Sequence, residues 1–465
     1  MSRLYAGFGE ADITCPVGIH LSGKEVTHKR PAMTIKDRLY AKASAFKTGD
    51  TKICLVGMDL ASVTEDKADL IKTAVSEKYS MDKEAISVFV MQSHSAPGLG
   101  HFMLDDDLPL DLPEDKEFVR GSEKAYDEIA VNGAIQACCQ ALDSLQPVSM
   151  GIGRGMAPRL ALNRRVIDRN GKCIMPFPPD NSAISHPVGP VQFLYDEGPA
   201  DNEVGVALFR DNEMNIVGAL NSFACHPVNL FCSFQYNCIS PDWPGVWSEM
   251  MKKSLKMKNL PLVLNGCCGN INPIDPWTQD YKLDEYVMSE KLNYVSDRIA
   301  YSMLFDEVEE PIKFREIHIP LPYREIPEDR LREAREKFAS VNNIEDHLDE
   351  DWFFAASTLS CYYEKQRNGN FDFVVNIFRI GKLAIVTMPG EPFIEAQLEI
   401  KEKAKADFVF VTHCANKYLG YLPKKSAFRH GGHSCNDLYT YWAKMAEGNM
   451  EIVTEKVINE LNDMF

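Results

Sequence analysis

The spacing of apolar and polar positions predicts strands and helices that follow one another along the chain. Apolar runs separated by turn residues, with turns at Gly49-Asp50 and Gly381 among them, predict strand hairpins within 40–59, 206–224 and 373–387. Helical spacing of apolar residues predicts helices over Thr64–Tyr79 and Ser122–Leu145, a helix that starts near Glu391, and a last amphipathic helix near the C-terminus. Ser240-Pro241-Asp242 predicts a helix start, with Ser240 as the cap and Pro241 as the first helical residue. Strands that alternate with helices, together with hairpins, predict an α/β fold with a mixed β-sheet core flanked by helices.

No stretch of the sequence has the composition of a linker, so we expect one catalytic unit over 1–465. The strand and helix pattern begins again near residue 310, with a strand at Ile312–Ile319 followed by charged helices. We therefore expect two approximate subdomains, residues 1–309 and a C-terminal α/β part at 310–465.

Composition narrows the classes of function. The 465 residues carry a net charge of −17 and no Lys/Arg-rich stripe, which argues against nucleic-acid binding. No apolar run reaches the roughly 20 residues that span a bilayer. The 13 cysteines include no CxxC pair, and the first residues do not have the pattern of a secretory signal. We therefore expect a cytoplasmic protein with free thiols and no membrane span.

Polar residues that could bind a metal follow several predicted strands. They are Gln92 and His94, His226, the loop Asn265–Asn272, Glu391, and the segment Asn416–Tyr421. In α/β sheets, ligands bind beyond the carboxyl ends of strands, where such residues meet. A mixed set of imidazole, carboxylate and phenol suits zinc or a similar ion, although no short motif such as HExxH is present.

Read in chain order, short motifs resemble those of the neutral (non-lysosomal) ceramidase family. They cover nearly the whole chain: AGFGEADIT at 6–14, DRLYAKA at 37–43, VGMDL at 56–60, QSHSAPG at 92–98, Asn163-Arg164, CHP at 225–227, SPD at 240–242, GNINP at 269–273, PGE at 389–391 and NKYLGY at 416–421. Each motif is short, but their number and order make the resemblance specific.

The resemblance implies a zinc ion held by two His, one Glu and one Tyr. Carried over by position, the ligands are His226, Glu391 and Tyr421, with Tyr418 as the alternative tyrosine and Gln92 at the place of the first His. His94 and Arg164 match catalytic and substrate-binding residues of the family, and Tyr421 is close enough to act as an acid. The remaining candidates for substrate binding are Asn163, Asn272, His101, Tyr418 and His433.

Three departures from the family pattern affect these expectations. Gln92 replaces an imidazole with an amide, so His101 is a substitute ligand, or magnesium or manganese replaces zinc. Asn272 stands where the family has a serine, which favours attack by water over attack by a side chain. His433-Ser434 replaces a Tyr-Glu pair, and His413 and His430 bring further imidazoles to this part of the chain.

The sequence therefore predicts a hydrolase with one divalent metal, zinc first, that cleaves an amide or related acyl bond of a small molecule through a metal-activated water. The family's C-terminal immunoglobulin-like domain is not in this sequence, and we expect a substrate other than ceramide. A metal- or ligand-binding pseudoenzyme and a sugar-directed hydrolase using Glu391 with Asp242 or Asp59 remain alternatives. A thiol enzyme using Cys267-Cys268 is a third. A homo-oligomer is compatible with all of them.

Overall fold

A computed structural model of the chain describes residues 3–23, 27–174, 193–275, 284–341 and 348–465. Three sheets contain the long strands. The first has β1 (Tyr5–Asp12), β2 (Tyr40–Thr48), β3 (Thr51–Met58) and β4 (Ile86–Val90), with Gln146–Pro147 beside β1. The second has β5 (Ser149–Met156), β6 (Glu203–Arg210), β7 (Ile216–Phe223) and β8 (Leu262–Asn265), with Phe305–Asp306 beside β5. The third has β9 (Lys313–Pro322), β10 (Asn370–Ile380), β11 (Leu383–Thr387) and β12 (Phe408–Thr412).

Helices and short strands connect these sheets. The helices are α1 (Glu65–Tyr79), α2 (Asp127–Asp143), α3 (Asp242–Ser254), α4 (Glu285–Tyr301), α5 (Glu328–Ala339), α6 (Glu350–Asn368), α7 (Ile394–Lys403) and α8 (Asn449–Asn462). Short strands pair Thr34–Ile35 with Cys238–Ile239, Leu162–Asn163 with Ile271–Asn272, and Glu391–Pro392 with Tyr421–Leu422, and Val166–Asp168 lies between Cys173–Ile174 and Phe193–Asp196. The predicted α/β class with mixed sheets is confirmed.

The same arrangement occurs once in each sheet. An antiparallel hairpin is followed by a helix and then by a strand parallel to the second hairpin strand. The three examples are β2-β3-α1-β4, β6-β7-α3-β8 and β10-β11-α7-β12. The carboxyl ends of the parallel strands are where side chains can meet over a sheet edge. Each of the three predicted hairpins therefore contributes strand ends to one common region.

Helix α2 packs directly on β1 because two positions in the strand are glycines. A Cβ atom at Gly7 would lie 2.0 Å from the carbonyl oxygen of Ala141, and one at Gly9 would lie 2.3 Å from that of Ala137. A side chain at either position would push the helix off the sheet. The close approach buries the apolar face of α2 in the core of the first sheet.

Two local predictions differ from the structure. The helix expected to begin near Glu391 begins at Ile394, and Glu391 lies in a two-residue strand paired with Tyr421–Leu422. Ser240 was expected to cap α3 directly before its first residue. The first helical residue is Asp242 instead, two positions after Ser240, and its backbone N–H donates to the side chain of Ser240. No helix in the described part of the chain is long and apolar enough to cross a membrane.

We expect buried His20 to make folding stability depend on pH. Burial, followed by the charges of Arg30 and Lys29, lowers the pKa of His20 from 6.5 to about 3. Unfolding between these values takes up a proton, so the free energy of unfolding falls as pH falls, by about 1.4 kcal/mol per pH unit at most. Urea denaturation at about pH 7, 6 and 5 should show a weaker pH dependence for His20→Gln than for wild type.

The control is His318→Gln. The hydrogen bond with Asp372 raises the pKa of exposed His318, so its contribution is present below pH 6.5 and is lost as pH rises. Removing it should shift the pH dependence in the opposite direction to removing His20. Identical pH profiles for wild type and His20→Gln would contradict the prediction.

Candidate active site

The residues that follow the parallel strands surround a cavity of about 220 Å³. Gln92 and His94 follow β4, and Glu391 and Tyr421 come from the short strand pair in the C-terminal half of the chain. All four side chains line the cavity. Their convergence brings Gln92 and Tyr421, 329 positions apart in sequence, into one small space, as the strand-end pattern predicted.

His226 and Glu391 are in contact beside this cavity. Nε2 of His226 lies 3.1 Å from Oε2 of Glu391, and the two residues are 0% and 2% exposed. Nδ1 of His226 lies 2.6 Å from the carbonyl oxygen of Cys268 and 3.0 Å from that of Ile271. Carbonyl oxygens only accept hydrogen bonds, so Nδ1 carries a proton. Nε2 faces the carboxylate, donating to it when the ring is protonated and presenting a lone pair when the ring is neutral.

The charge of Glu391 is supported by its hydrogen-bond partners. Burial alone raises the pKa of a carboxyl group, but the hydrogen bond and charge of His226, with hydrogen bonds from Gln92 and Tyr418, lower the pKa of Glu391 below its usual range. The hydroxyl of Tyr418 donates to Oε1 of Glu391 over 2.8 Å. Burial, followed by the charge of Arg164, lowers the pKa of His226.

Gln92 lies between Glu391 and a further buried histidine, His413. The backbone at Gln92 is left-handed (φ 65°), which turns its side chain away from the line of β4. Its carboxamide lies 2.8 Å from Nε2 of His413, whose Nδ1 donates to the carbonyl oxygen of Asn265 over 2.8 Å. Burial lowers the pKa of His413 to about 4. The side-chain oxygen of Gln92 faces His413, and its amide nitrogen donates to Glu391.

Arg164 and Tyr421 form the other side of the site. Nη2 of Arg164 donates to the carbonyl oxygen of Gly269 over 2.6 Å and to the hydroxyl of Tyr421 over 3.1 Å. Nη1 lies 3.4 Å from Oδ1 of Asn272. Burial, followed by the charge of Glu391, raises the pKa of Tyr421 well above its usual value. A buried guanidinium thus stands beside a neutral phenol at the cavity wall.

His94 and His433 both line the cavity as neutral rings. Burial, followed by neighbouring positive charge, lowers the pKa of each to about 3. The ring of His94 lies 5.7 Å from that of His226, and its Nδ1 has no hydrogen-bond partner within the described part of the chain. The ring of His433 stands edge-on to Tyr421 at 4.9 Å. Both rings are therefore unprotonated near neutral pH and can accept hydrogen bonds from bound water or substrate.

Three of the proposed substrate-binding residues do not line this cavity. The side chain of Asn163 donates to Pro199 and accepts from the backbone of Arg165. Asn272 is buried, and its side-chain oxygen contacts Arg164. Nε2 of His101 lies 3.0 Å from a carboxylate oxygen of Glu117, and its ring lines a neighbouring depression. Tyr418 and His433, by contrast, line the cavity.

Residues considered for the alternative functions have other structural partners. Asp59 is in a buried ion pair with Lys42 over 2.6 Å. Asp242 accepts hydrogen bonds from the backbone of Leu230 and Trp243. Cys268 supplies its carbonyl oxygen to His226, and burial raises the pKa of its thiol well above the usual value. Neither aspartate lines the cavity with Glu391, and the thiol is not activated.

Sequence reasoning missed the rest of the cavity lining. Glu350 and Phe354 from α6, and Tyr441 and Trp442 from the loop before α8, come from segments with no matched motif. A signal was present in the sequence, because Trp352-Phe-Phe354 and Tyr439-Thr-Tyr-Trp442 are dense in aromatic residues. Such density indicates a core or a binding surface without distinguishing the two.

The residues present fit a divalent ion. Among the described residues, no three His, Cys, Asp or Glu side chains cluster as an ion site. The fit comes from the chemistry of the donor set, because Nε2 of His226 and the hydroxyl of Tyr421 both contact the carboxylate of Glu391. Imidazole, carboxylate and phenol oxygen form a mixed set that suits zinc or a similar ion.

Comparison with solved protein structures identifies the fold of this chain. No family model matches the sequence, and no curated protein matches it. The structure of neutral ceramidase from Pseudomonas aeruginosa aligns with a TM-score of 0.69 and 16% identity, over 99% of this chain and 74% of that one. The structure of a ceramidase complexed with C2 aligns with a TM-score of 0.69 and 15% identity, over 99% and 75%. The chain has the fold of a neutral ceramidase.

The neutral ceramidase fold confirms the resemblance expected from the ordered motifs. At this identity the shared property is the backbone, so the chemistry depends on the side chains described above. The departure of most consequence is Gln92, because it contacts Glu391 beside His226.

Changing Gln92 to histidine should shift the metal preference of this ceramidase fold. An imidazole is a better zinc ligand than an amide oxygen, so we expect Gln92→His to bind zinc about tenfold more tightly, while magnesium affinity does not rise. Competition with a chromophoric chelator measures both affinities. Gln92→Glu is the matched control, since a carboxylate should favour magnesium or manganese instead. Unchanged affinities in both variants would contradict a role for this position in binding metal.

Proposed function

We propose that the protein is a metal-dependent hydrolase that cleaves an amide bond in a small molecule. The observation that carries this proposal is the buried contact between Nε2 of His226 and Oε2 of Glu391, which lie 3.1 Å apart beside a cavity. The fold shared with neutral ceramidase structures is consistent with it. Zinc is the first candidate for the ion, and magnesium or manganese are alternatives because of Gln92.

The proposed ligands are His226, Glu391, the hydroxyl oxygen of Tyr421 and Gln92, whose amide oxygen would reach the ion after rotation of the carboxamide. When bound, a divalent ion would polarise the scissile carbonyl and lower the pKa of the attacking water. The two carbonyl partners of Nδ1 orient the ring of His226, so that Nε2 is the nitrogen that would face the ion. Tyr418 orients the carboxylate of Glu391 through its hydroxyl.

The remaining residues would stabilise charge and orient water. Arg164 donates hydrogen bonds to Gly269 and Tyr421, which fix its position. Its positive charge would stabilise the negative charge that develops on the carbonyl oxygen. His94 lines the cavity as a neutral ring that would accept a hydrogen bond from the attacking water and orient it. Hydrolysis then yields a carboxylate and an amine.

An assay of amine release tests the proposal. The protein is stripped of metal with a chelator, then assayed on a panel of N-acetylated amines and N-acyl amino acids with zinc, magnesium or manganese added back. We expect release that disappears on stripping, returns with one of these ions, and is absent in His226→Ala. Release that is unaffected by stripping, or no release with any ion, would contradict it.

The same preparation distinguishes the alternatives. A pseudoenzyme would bind the ion or a ligand without turnover of any substrate. A sugar-directed hydrolase would release nitrophenol from nitrophenyl glycosides and leave the amides intact. A glycosidase needs two carboxylates at its site, and the sequence offered Asp59 or Asp242 as the partner of Glu391. Both aspartates have other structural partners, so neither supplies the second carboxylate.

A further inference from the structure

The cavity has one wall made of aromatic side chains. Phe102, Phe354, Tyr418, Tyr441 and Trp442 line it. Their rings pack on one another, with centroids 5.2 Å apart for Phe102 and Tyr418, 4.8 Å for Tyr441 and Trp442, and 5.8 Å for Phe354 and Trp442. Rings held by such mutual contacts keep fixed positions, so the wall is a preformed surface.

The charged groups of the lining are all acidic. Among the described residues that line the cavity there are two carboxylates, Glu350 and Glu391, and no Lys or Arg. Glu391 is already in contact with His226 and Tyr418. Glu350, in the first turn of α6, has no ion pair or hydrogen bond with another described residue.

The aspartates of the loop at 105–107 do not account for this acidity. Asp105 and Asp107 both form ion pairs with Arg367, on a neighbouring part of the surface. Arg367 offsets part of their charge, whereas Glu350, an exposed residue, lines the same cavity as the aromatic wall. A carboxylate beside aromatic rings, without a positive partner of its own, is the usual composition of a site for an organic cation.

We propose that the aromatic wall and Glu350 bind the ammonium or guanidinium end of a small N-acylated amine, whose amide lies at His226 and Glu391. The inference rests on the proposed amide hydrolase function and names its substrate class. At about 220 Å³ the cavity is smaller than the roughly 300 Å³ at which sites for drug-sized ligands begin, which suits a small N-acylated amine.

The reaction on such a substrate is balanced by water alone. Water adds to the carbonyl carbon, the C–N bond breaks, and the nitrogen takes up a proton. The products are a carboxylic acid, which ionises, and an amine that now carries a cationic group at both ends. Glu350 and the aromatic rings hold the end of the substrate that is already cationic before hydrolysis. The acyl end then lies towards His226 and Glu391.

Two probes that differ in one charge test this assignment. N-acetylputrescine carries an ammonium group where N-acetylpentylamine has a methyl group of similar size. Binding to the metal-loaded protein is measured by calorimetry, and amine release is measured separately. We expect the cationic probe to bind about tenfold more tightly than the neutral probe. Glu350→Gln should remove most of this preference.

Asp351→Asn is the matched control, because it removes the same charge from the same helical turn at a residue that does not line the cavity. It should keep the preference. Equal binding of the two probes, or equal effects of the two substitutions, would overturn the cation site. A preference that depends on Glu350 without amine release would support the cation site and overturn the hydrolase function.

Discussion

Glu391→Gln is expected to abolish amide hydrolysis, with a loss of about three orders of magnitude in kcat/KM or more. The substitution keeps the shape of the side chain and removes its charge. The negative charge of Glu391 would attract a cation to the site beside His226. The neutral amide of glutamine cannot replace this charge. Amine release by wild type and variant at saturating zinc, magnesium and manganese measures the loss.

The control for this prediction is Glu395→Gln, four residues along the chain in α7. Glu395 is partly buried, accepts a hydrogen bond from Asn270 and pairs with Lys424, but it does not line the cavity. It should retain activity within a few-fold of wild type. Circular dichroism establishes that both variants are folded. A folded Glu391→Gln protein with near wild-type activity would contradict the assignment of this carboxylate.

Arg164→Lys should lower kcat by about a hundredfold and leave KM nearly unchanged. Lysine keeps the positive charge but lacks the planar fork, so it cannot contact Gly269, Tyr421 and Asn272 together. The effect should fall on kcat because the charge is needed most when the carbonyl oxygen becomes negative. Steady-state kinetics on the best N-acyl substrate measures both constants.

Arg159→Lys provides the comparison, since Arg159 lies in the same region of the chain and makes an exposed ion pair with Asp275. Surface ion pairs contribute little, so this variant should behave as wild type. A kcat for Arg164→Lys within about threefold of wild type would mean that the guanidinium only supports the local structure.

Much of the fold could be predicted from local patterns. The hairpin at Gly49-Asp50 and the turn at Gly381 were predicted because both place glycine where the backbone is left-handed, at φ 56° and 55°. The fold class followed from hairpins that alternate with helices. The start of α7 was predicted wrongly near Glu391, because the pairing of Glu391 with Tyr421 is between distant segments and leaves no local pattern.

The site was predictable only in part, for the same reason. The strand-end pattern and the ordered motifs pointed to His226, Glu391 and Tyr421, which the structure places together. The partnership of Gln92 with His413 depends on an approach between residues 321 positions apart. The aromatic wall is built from segments whose composition is equally typical of a core, so only the fold could reveal that it faces a cavity.

The central claim is that this chain binds a divalent ion between His226 and Glu391. Elemental analysis by mass spectrometry, on protein purified without chelator and again after equilibration with zinc, magnesium and manganese, tests it most directly. The account predicts close to one ion per chain in wild type and in Glu395→Gln, and its loss in His226→Ala and Glu391→Gln. No bound ion in wild type under any of these conditions, or equal ion content in all four proteins, would contradict it.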